Sequence, residues 1–270
     1  MLSIVLSNKT IATGLGNDRP TLVFLHGFLG SHRDFIHLAI ELSQSKRNPH
    51  NCLLLDLPGH GESLGLPDRT YTLQGAAEAI LDTLDHLKID RPILYGYSMG
   101  GRLSLYLALR WPDRFSSAFL ESMSPGLATT VERFDRREQD KRLAQSIQID
   151  FPEFLNKWYQ ADLFKSLKTH HSFPELLDRR HQNDPDELAR SLVNMGTGSQ
   201  PSLWSELPQA KIPLHLIVGT ADPKFCAINQ KMQQLCPTSQ LHQIPNIGHN
   251  LHIEAPDAIV KIILNNRSSP

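Results

Sequence analysis

The sequence predicts an α/β protein, a mostly parallel central sheet flanked by helices, with an inserted helical lid. Three observations carry that expectation. Short apolar runs, several ending in glycine, alternate with segments of helical apolar spacing, as in successive strand-helix units. One run breaks at Gly96-Tyr97-Ser98-Met99-Gly100 straight into a helical pattern. From about Leu127 to Leu207 the alternation stops, leaving only charged and amphipathic helical pieces.

Residues 21–27, Thr-Leu-Val-Phe-Leu-His-Gly, read as a central strand buried on both faces. His26-Gly27-Phe28-Leu29-Gly30 follows as a tight loop. It reads either as an ordinary strand-to-helix turn or as the support of an oxyanion donor, the Phe28 N–H. Residues 34–44 have helical spacing, and Cys52 to Leu57 gives a second buried strand stopped by Pro58-Gly59. Leu73, Ala76, Ala77, Ile80, Leu81, Leu84 and Leu87 share one face of a helix over 71–87. Residues 92–97 then deliver the Ser98 turn, Met99 to Arg110 its helix, and 116–122 another strand. Helical pieces at 131–147, 154–167, 174–181 and 185–195 make up the lid. The sheet resumes at 213–219, ahead of Asp222, and at 240–244, ahead of His249. The expected division is a core of 1–126 and 208–270 and a lid of 127–207, with 265–270 frayed.

Gly-x-Ser-x-Gly between a strand and a helix is the signature of a nucleophile elbow. Side chains at Gly96 and Gly100 would crowd the turn. Ser98, at a helix start, gains from the N–H groups and the positive dipole end there, and the Met99 N–H suits a developing oxyanion. Asp222 and His249 each follow a strand end, on the face where open parallel sheets place ligand sites. The order Ser98, Asp222, His249 fits this arrangement, whereas Asp56 and His60 precede the nucleophile and fall out of order. A serine hydroxyl is weakly reactive until a histidine accepts its proton and a carboxylate fixes that histidine's tautomer.

A formal net charge of -1 points away from a nucleic-acid or polyanion binder. Cys52, Cys226 and Cys236 have neither CxxC nor metal-ligand spacing, and an odd count fits a reducing compartment. Residues 1–9 lack a basic leader and a cleavage site, and no run reaches transmembrane length. A soluble, cytoplasmic protein without membrane insertion is expected. His252 follows His249 by three residues, but no third ligand has suitable spacing, and no phosphate loop or dinucleotide fingerprint occurs. No metal and no cofactor are expected.

Together, His26-Gly27-Phe28, Asp56-Leu57-Pro58-Gly59-His60-Gly61, Gly96-Tyr97-Ser98-Met99-Gly100-Gly101, Asp222 and Gly248-His249 resemble the α/β-hydrolase superfamily over nearly the whole chain. Further pieces are similar to the 2-succinyl-6-hydroxy-2,4-cyclohexadiene-1-carboxylate synthase family of menaquinone and phylloquinone synthesis. These are Ser124-Pro125-Gly126-Leu127 leading to Arg136-Arg137-Glu138-Gln139-Asp140, Lys157-Trp158-Tyr159-Gln160, and the run from Gly196 to Trp204. The resemblance implies an α/β-hydrolase fold and a carbon-oxygen lyase that eliminates pyruvate from 2-succinyl-5-enolpyruvyl-6-hydroxy-3-cyclohexene-1-carboxylate.

The same resemblance assigns Ser98, Asp222 and His249 to a catalytic triad and the Phe28 and Met99 amides to an oxyanion hole. It assigns Arg102, Arg136 and Arg180 to substrate carboxylates, with Tyr97 and Trp158 lining the pocket. Arg137 and Arg179 are the adjacent alternatives to Arg136 and Arg180. Arg102, four residues after Ser98, projects from the same helix face, an odd choice for a pocket meant for neutral esters. Its structural alternative is an ion pair with an acid such as Glu121, or an outlet to solvent; for Arg136 it is a solvated helix face. The implied partner is a small polyanionic carboxylate, not nucleic acid. The competing functions are a serine hydrolase (carboxylesterase, thioesterase or C–C hydrolase) acting through an acyl-enzyme, and a non-catalytic binding module, against which the complete serine, aspartate and histidine set argues.

Overall fold

The computed structural model describes residues 6–11 and 19–266. Seven strands form one sheet: β1 (Asn8–Ile11), β2 (Thr21–Leu25), β3 (Asn51–Leu55), β4 (Ile93–Tyr97), β5 (Ser117–Glu121), β6 (Leu214–Gly219) and β7 (Ser239–Ile244). Their order is β1-β3-β2-β4-β5-β6-β7. β1 pairs antiparallel with β3, and every other pairing is parallel. Asn8-Lys9-Thr10-Ile11 carries too little apolar pattern to announce itself, and its place at the sheet edge comes from pairing with β3. Residues 1–5, and 267–270 of the expected frayed end, lie outside the described residues.

The helices are α1 (Ile36–Gln44), α2 (Leu73–His86), α3 (Met99–Arg110), α4 (Thr130–Ile149), α5 (Phe151–Trp158), α6 (Lys165–Thr169), α7 (Phe173–His181), α8 (Pro185–Met195), α9 (Pro223–Leu235), α10 (Leu251–Glu254) and α11 (Pro256–Asn265). The single piece expected over 154–167 is two helices. Asp150 starts α5 by accepting the Glu153 N–H at 3.0 Å, and α5 closes at Trp158, before the separate α6. α9 and α11 were not foreseen. Each begins with proline as its first residue, a position that needs no N–H.

Strand parity sorts the core into two layers. Val23, Leu25, Leu53, Leu55, Leu94, Ala118, Leu120, Leu214 and Leu216 face one apolar cluster with α2 and α3. Leu22, Phe24, Cys52, Leu54, Tyr95, Phe119 and Ile217 face the other, with α1 and α11. That two-faced burial is why these strands read as near-continuous apolar runs. A third cluster joins Ala144, Ile147, Phe154, Leu155, Leu176, Leu188 and Leu192 of the helical segment to Leu29, just past β2. Among the described residues no helix is long and apolar enough to cross a membrane.

Candidate active site

Ser98 stands between the end of β4 and the start of α3, with φ 49° and ψ −103°. A non-glycine residue in this region is strained, and the surrounding close packing holds it there. A Cβ on Gly96 would lie 2.3 Å from Ser104 Oγ, and one on Gly100 would lie 2.0 Å from the Leu25 carbonyl oxygen. The Ser98 N–H donates to Glu121 O at 2.9 Å and the Gly100 N–H to His26 O at 3.0 Å. Between them, no acceptor among the described residues takes the Met99 N–H, and none takes that of Phe28. Both residues line the same cavity as Ser98.

His249 follows β7, and its Nδ1 lies 2.7 Å from Asp222 Oδ2 while its Nε2 lies 3.5 Å from Ser98 Oγ. Asp222 follows β6 and also caps α9, its Oδ1 accepting the Phe225 N–H at 3.2 Å. Asp222 and His249 are 4% and 2% exposed. A carboxylate beside Nδ1 favours the tautomer protonated there, which leaves Nε2 to accept from the serine.

The loop carrying Phe28 is braced by another histidine. His26 Nε2 accepts the Leu57 N–H at 2.9 Å, so Nδ1 carries the proton and donates to Gly27 O at 2.8 Å. Burial lowers the pKa of His26, consistent with this neutral form. Asp56 and His60 serve the neighbouring loop. Asp56 accepts the backbone N–H groups of His32 and Glu62 at 2.7 and 3.0 Å, and His60 Nδ1 donates to Pro58 O at 3.1 Å. Burial and the neighbouring His26 push the His60 imidazole down to about 3.

Every sequence-predicted site residue except Asp222, which stands behind His249, lines one cavity. Arg102 is 8% exposed, and its Nη1 donates to Met195 O and Gln200 Oε1, each at 3.0 Å. It therefore takes neither structural alternative. Glu121 instead accepts from His252 Nδ1 at 2.8 Å and from the Tyr95 hydroxyl. Burial and the adjacent Arg136 lower the Arg102 guanidinium to about 10, still protonated at neutral pH.

Arg136 Nε donates to Asp140 Oδ1 at 2.7 Å, and it is Arg136 that lines the cavity, while Arg137 Nη1 turns to Gly198 O at 3.2 Å. Likewise Arg180 lines the cavity and Arg179 does not. Arg180 grips Asp34 with both terminal nitrogens, at 3.0 and 2.7 Å, and points Nε at the Tyr159 hydroxyl at 3.3 Å. Burial works to raise the Asp34 carboxyl, but the Arg180 charge and hydrogen bonds outweigh it and hold it at about 2. Tyr97 sets its ring 5.5 Å from that of His249, and Trp158 lies 5.6 Å from Phe28.

The comparisons with known proteins give the fold and the family. The α/β hydrolase fold family matches residues 20–256. A Bacillus subtilis (strain 168) relative, provisionally named 2-succinyl-6-hydroxy-2,4-cyclohexadiene-1-carboxylate synthase, is 38% identical over 251 residues, 92% of this chain and 90% of its own. The synthase of that name from Enterobacter sp. (strain 638) is 32% identical, covering 95% of this chain and 94% of its own. The chain belongs to this synthase family of α/β hydrolases. The structure of MenH from S. aureus superposes on it with a TM-score of 0.89 at 31% identity, over 96% of both chains.

In this α/β hydrolase the cavity also holds residues that sequence reasoning missed: Asp34, Tyr159, Phe164, Lys224 and Phe225. Asp222-Pro223-Lys224-Phe225 carried a usable signal, a capping aspartate with proline at the first helical position. That pattern places Lys224 in the first turn of a helix beginning at the site. Asp34 carried none, because its partner Arg180 is 146 residues away in sequence.

Proposed function

We propose that this protein is a carbon-oxygen lyase that eliminates pyruvate from 2-succinyl-5-enolpyruvyl-6-hydroxy-3-cyclohexene-1-carboxylate, the step of menaquinone or phylloquinone synthesis for which its relatives are named. The observation that carries the reading is the charge on the cavity wall. Arg102, Arg136, Arg180 and Lys224 line it against a single carboxylate, Asp34. A desolvated guanidinium without an anion is expensive, and a polycarboxylate substrate supplies the missing partner in bidentate form.

The chemistry follows from Ser98, His249 and the two amides. His249 Nε2 accepts the Ser98 hydroxyl proton, and Ser98 Oγ removes the proton from the saturated ring carbon bonded to the succinyl carbonyl. The C–H electron pair moves toward that carbonyl oxygen, where the Phe28 and Met99 N–H groups stabilise the growing charge. Its return forms a double bond from that ring carbon to C3, shifts the existing C3=C4 bond to C4=C5 and breaks the C5–O bond, and the enolpyruvate released takes up the proton held on His249 at carbon to become pyruvate. Asp222 holds the Nδ1 proton and stabilises the imidazolium. The separation of 3.5 Å between Ser98 and His249 is one that tightens in a substrate complex. Residues 127–207 act as a lid that excludes water from the carbanionic stage, in a protein of the cytoplasm.

The test is pyruvate release from freshly prepared substrate, run beside a short-chain nitrophenyl ester and a Ser98→Ala control. Fast release that Ser98→Ala abolishes, with feeble ester cleavage, is expected. Fast ester cleavage without pyruvate would overturn the lyase reading and leave a serine hydrolase, for which the same serine, histidine and aspartate suffice.

A further inference from the structure

We propose that Lys224 is a specificity-determining residue that binds one carboxylate of the substrate, a role that rests on the lyase reading above. The four cations of the cavity are not equally available. Arg180 is already held bidentately by Asp34. Arg136 shares its charge with Asp140. Arg102 bonds only a backbone carbonyl and an amide oxygen, and Lys224 pairs with no carboxylate among the described residues. Lys224 therefore faces the cavity with no carboxylate partner among those residues, and Arg102 has only the attraction of Asp140, which Arg136 already holds.

They stand at different places. Arg102 and Arg136 gather where α3, α4 and the end of α8 meet, since Arg102 bonds Met195 O and lies near enough to Arg136 for the two charges to oppose each other. Lys224 sits in the first turn of α9, two residues past Asp222. Its Nζ lies 5.7 Å from the Phe225 ring, which in turn lies 4.6 Å from the His249 ring. One pole of the cavity is thus built on the elbow helix and the helical segment, and the other beside the base. The substrate carries three carboxylates, on the ring, on the succinyl arm and on the enolpyruvyl group. A rigid guanidinium pair matches one end of such a molecule, and a flexible ammonium suits the carboxylate held on the His249 side. Because Lys224 is exposed, its attraction is screened by salt, unlike that of buried Arg102.

The experiment compares Lys224→Gln, Lys224→Arg and Lys224→Glu with the wild type in steady-state pyruvate release at two salt concentrations. Alongside it runs the rate at which an uncharged fluorophosphonate labels Ser98. For Lys224→Gln a KM about tenfold higher is expected, with kcat changed less than about twofold. Arginine restores KM, glutamate raises it further, and the salt dependence of KM shrinks in Lys224→Gln. Labelling of Ser98 stays at the wild-type rate in all three. An unchanged KM in Lys224→Gln overturns the proposal while leaving the lyase reading intact. A fall in kcat accompanied by slower labelling also overturns it, because Lys224 would then be bracing the Asp222 turn. A wild type that releases no pyruvate overturns both.

Discussion

Arg102 and Arg180 bring the same guanidinium to the same cavity in opposite electrostatic states. Arg180 is neutralised by Asp34 through two hydrogen bonds, whereas Arg102 has only neutral acceptors. Removing one partner of a buried pair strands the other charge. Arg180→Ala should therefore lower unfolding stability by about 3–5 kcal/mol. Arg102→Ala deletes a cation hydrogen-bonded only to neutral acceptors and should cost at most about 1–3 kcal/mol of stability. Its main effect should fall on substrate, raising KM for pyruvate release roughly tenfold or more through the loss of a charge-assisted contact. Urea titrations and steady-state kinetics on both variants check the contrast, and a larger stability loss for Arg102→Ala would refute it. The positions of Ser98, Asp222 and His249 were legible because each follows a strand with its own punctuation. The pairing of Asp34 with Arg180 was not, since nothing local marks a contact across 146 residues.

At the level of elements, α4 presents Arg136 to the cavity, and its N-terminus is secured by a reciprocal cap. Thr129 Oγ1 accepts the Glu132 N–H at 3.2 Å, and Glu132 Oε2 accepts the Thr129 N–H at 2.8 Å. Thr129→Ala should cost about 1 kcal/mol, read as a lower urea midpoint. A midpoint identical to wild type would show that packing of α4 on α8 alone holds that end. The helices of this region were legible from their spacing and charge, although the break between α5 and α6 was hidden by apolar residues that continue past it. α9 escaped notice for the opposite reason: only Asn229 and Met232 of its residues are buried, too few to set up a visible periodicity. β1 owes its conformation to β3, an influence outside any local window.

Across the whole molecule, several buried histidines set the response to acid. Burial lowers His26, His60 reaches about 3, and His215, packed against His242, reaches about 4. In each case the unfolded chain takes up a proton near pH 6.5 that the folded protein refuses, so stability falls as pH drops below about 6.5. Each contributes a slope of about 1.4 kcal/mol per pH unit until its folded pKa is reached. Asp34 adds a further loss at lower pH, since its stabilisation is present above its unfolded pKa and disappears as pH falls toward about 2. Thermal unfolding between pH 7 and 4 should show a steadily falling midpoint, with a shallower slope in His60→Asn. Equal slopes for variant and wild type would mean that His60 is protonated in the folded state.

The helical segment that roofs the cavity leaves the sheet after β5 and returns at β6, and these two strands are parallel neighbours. Its entry and exit are nonetheless close together, since Pro125 O accepts the Leu203 N–H at 2.8 Å and Gly126 O accepts the Trp204 Nε1–H at 2.9 Å, and no strand pairing among the described residues runs through it. Lengthening, shortening or exchanging the segment leaves the register of every strand, and with it the floor bearing Ser98, Asp222 and His249, as it was. Arg136, Trp158 and Arg180 reach the cavity from this segment and Arg102 and Lys224 from the sheet's own helices, so exchanging the segment would redraw one part of the wall and leave the other in place.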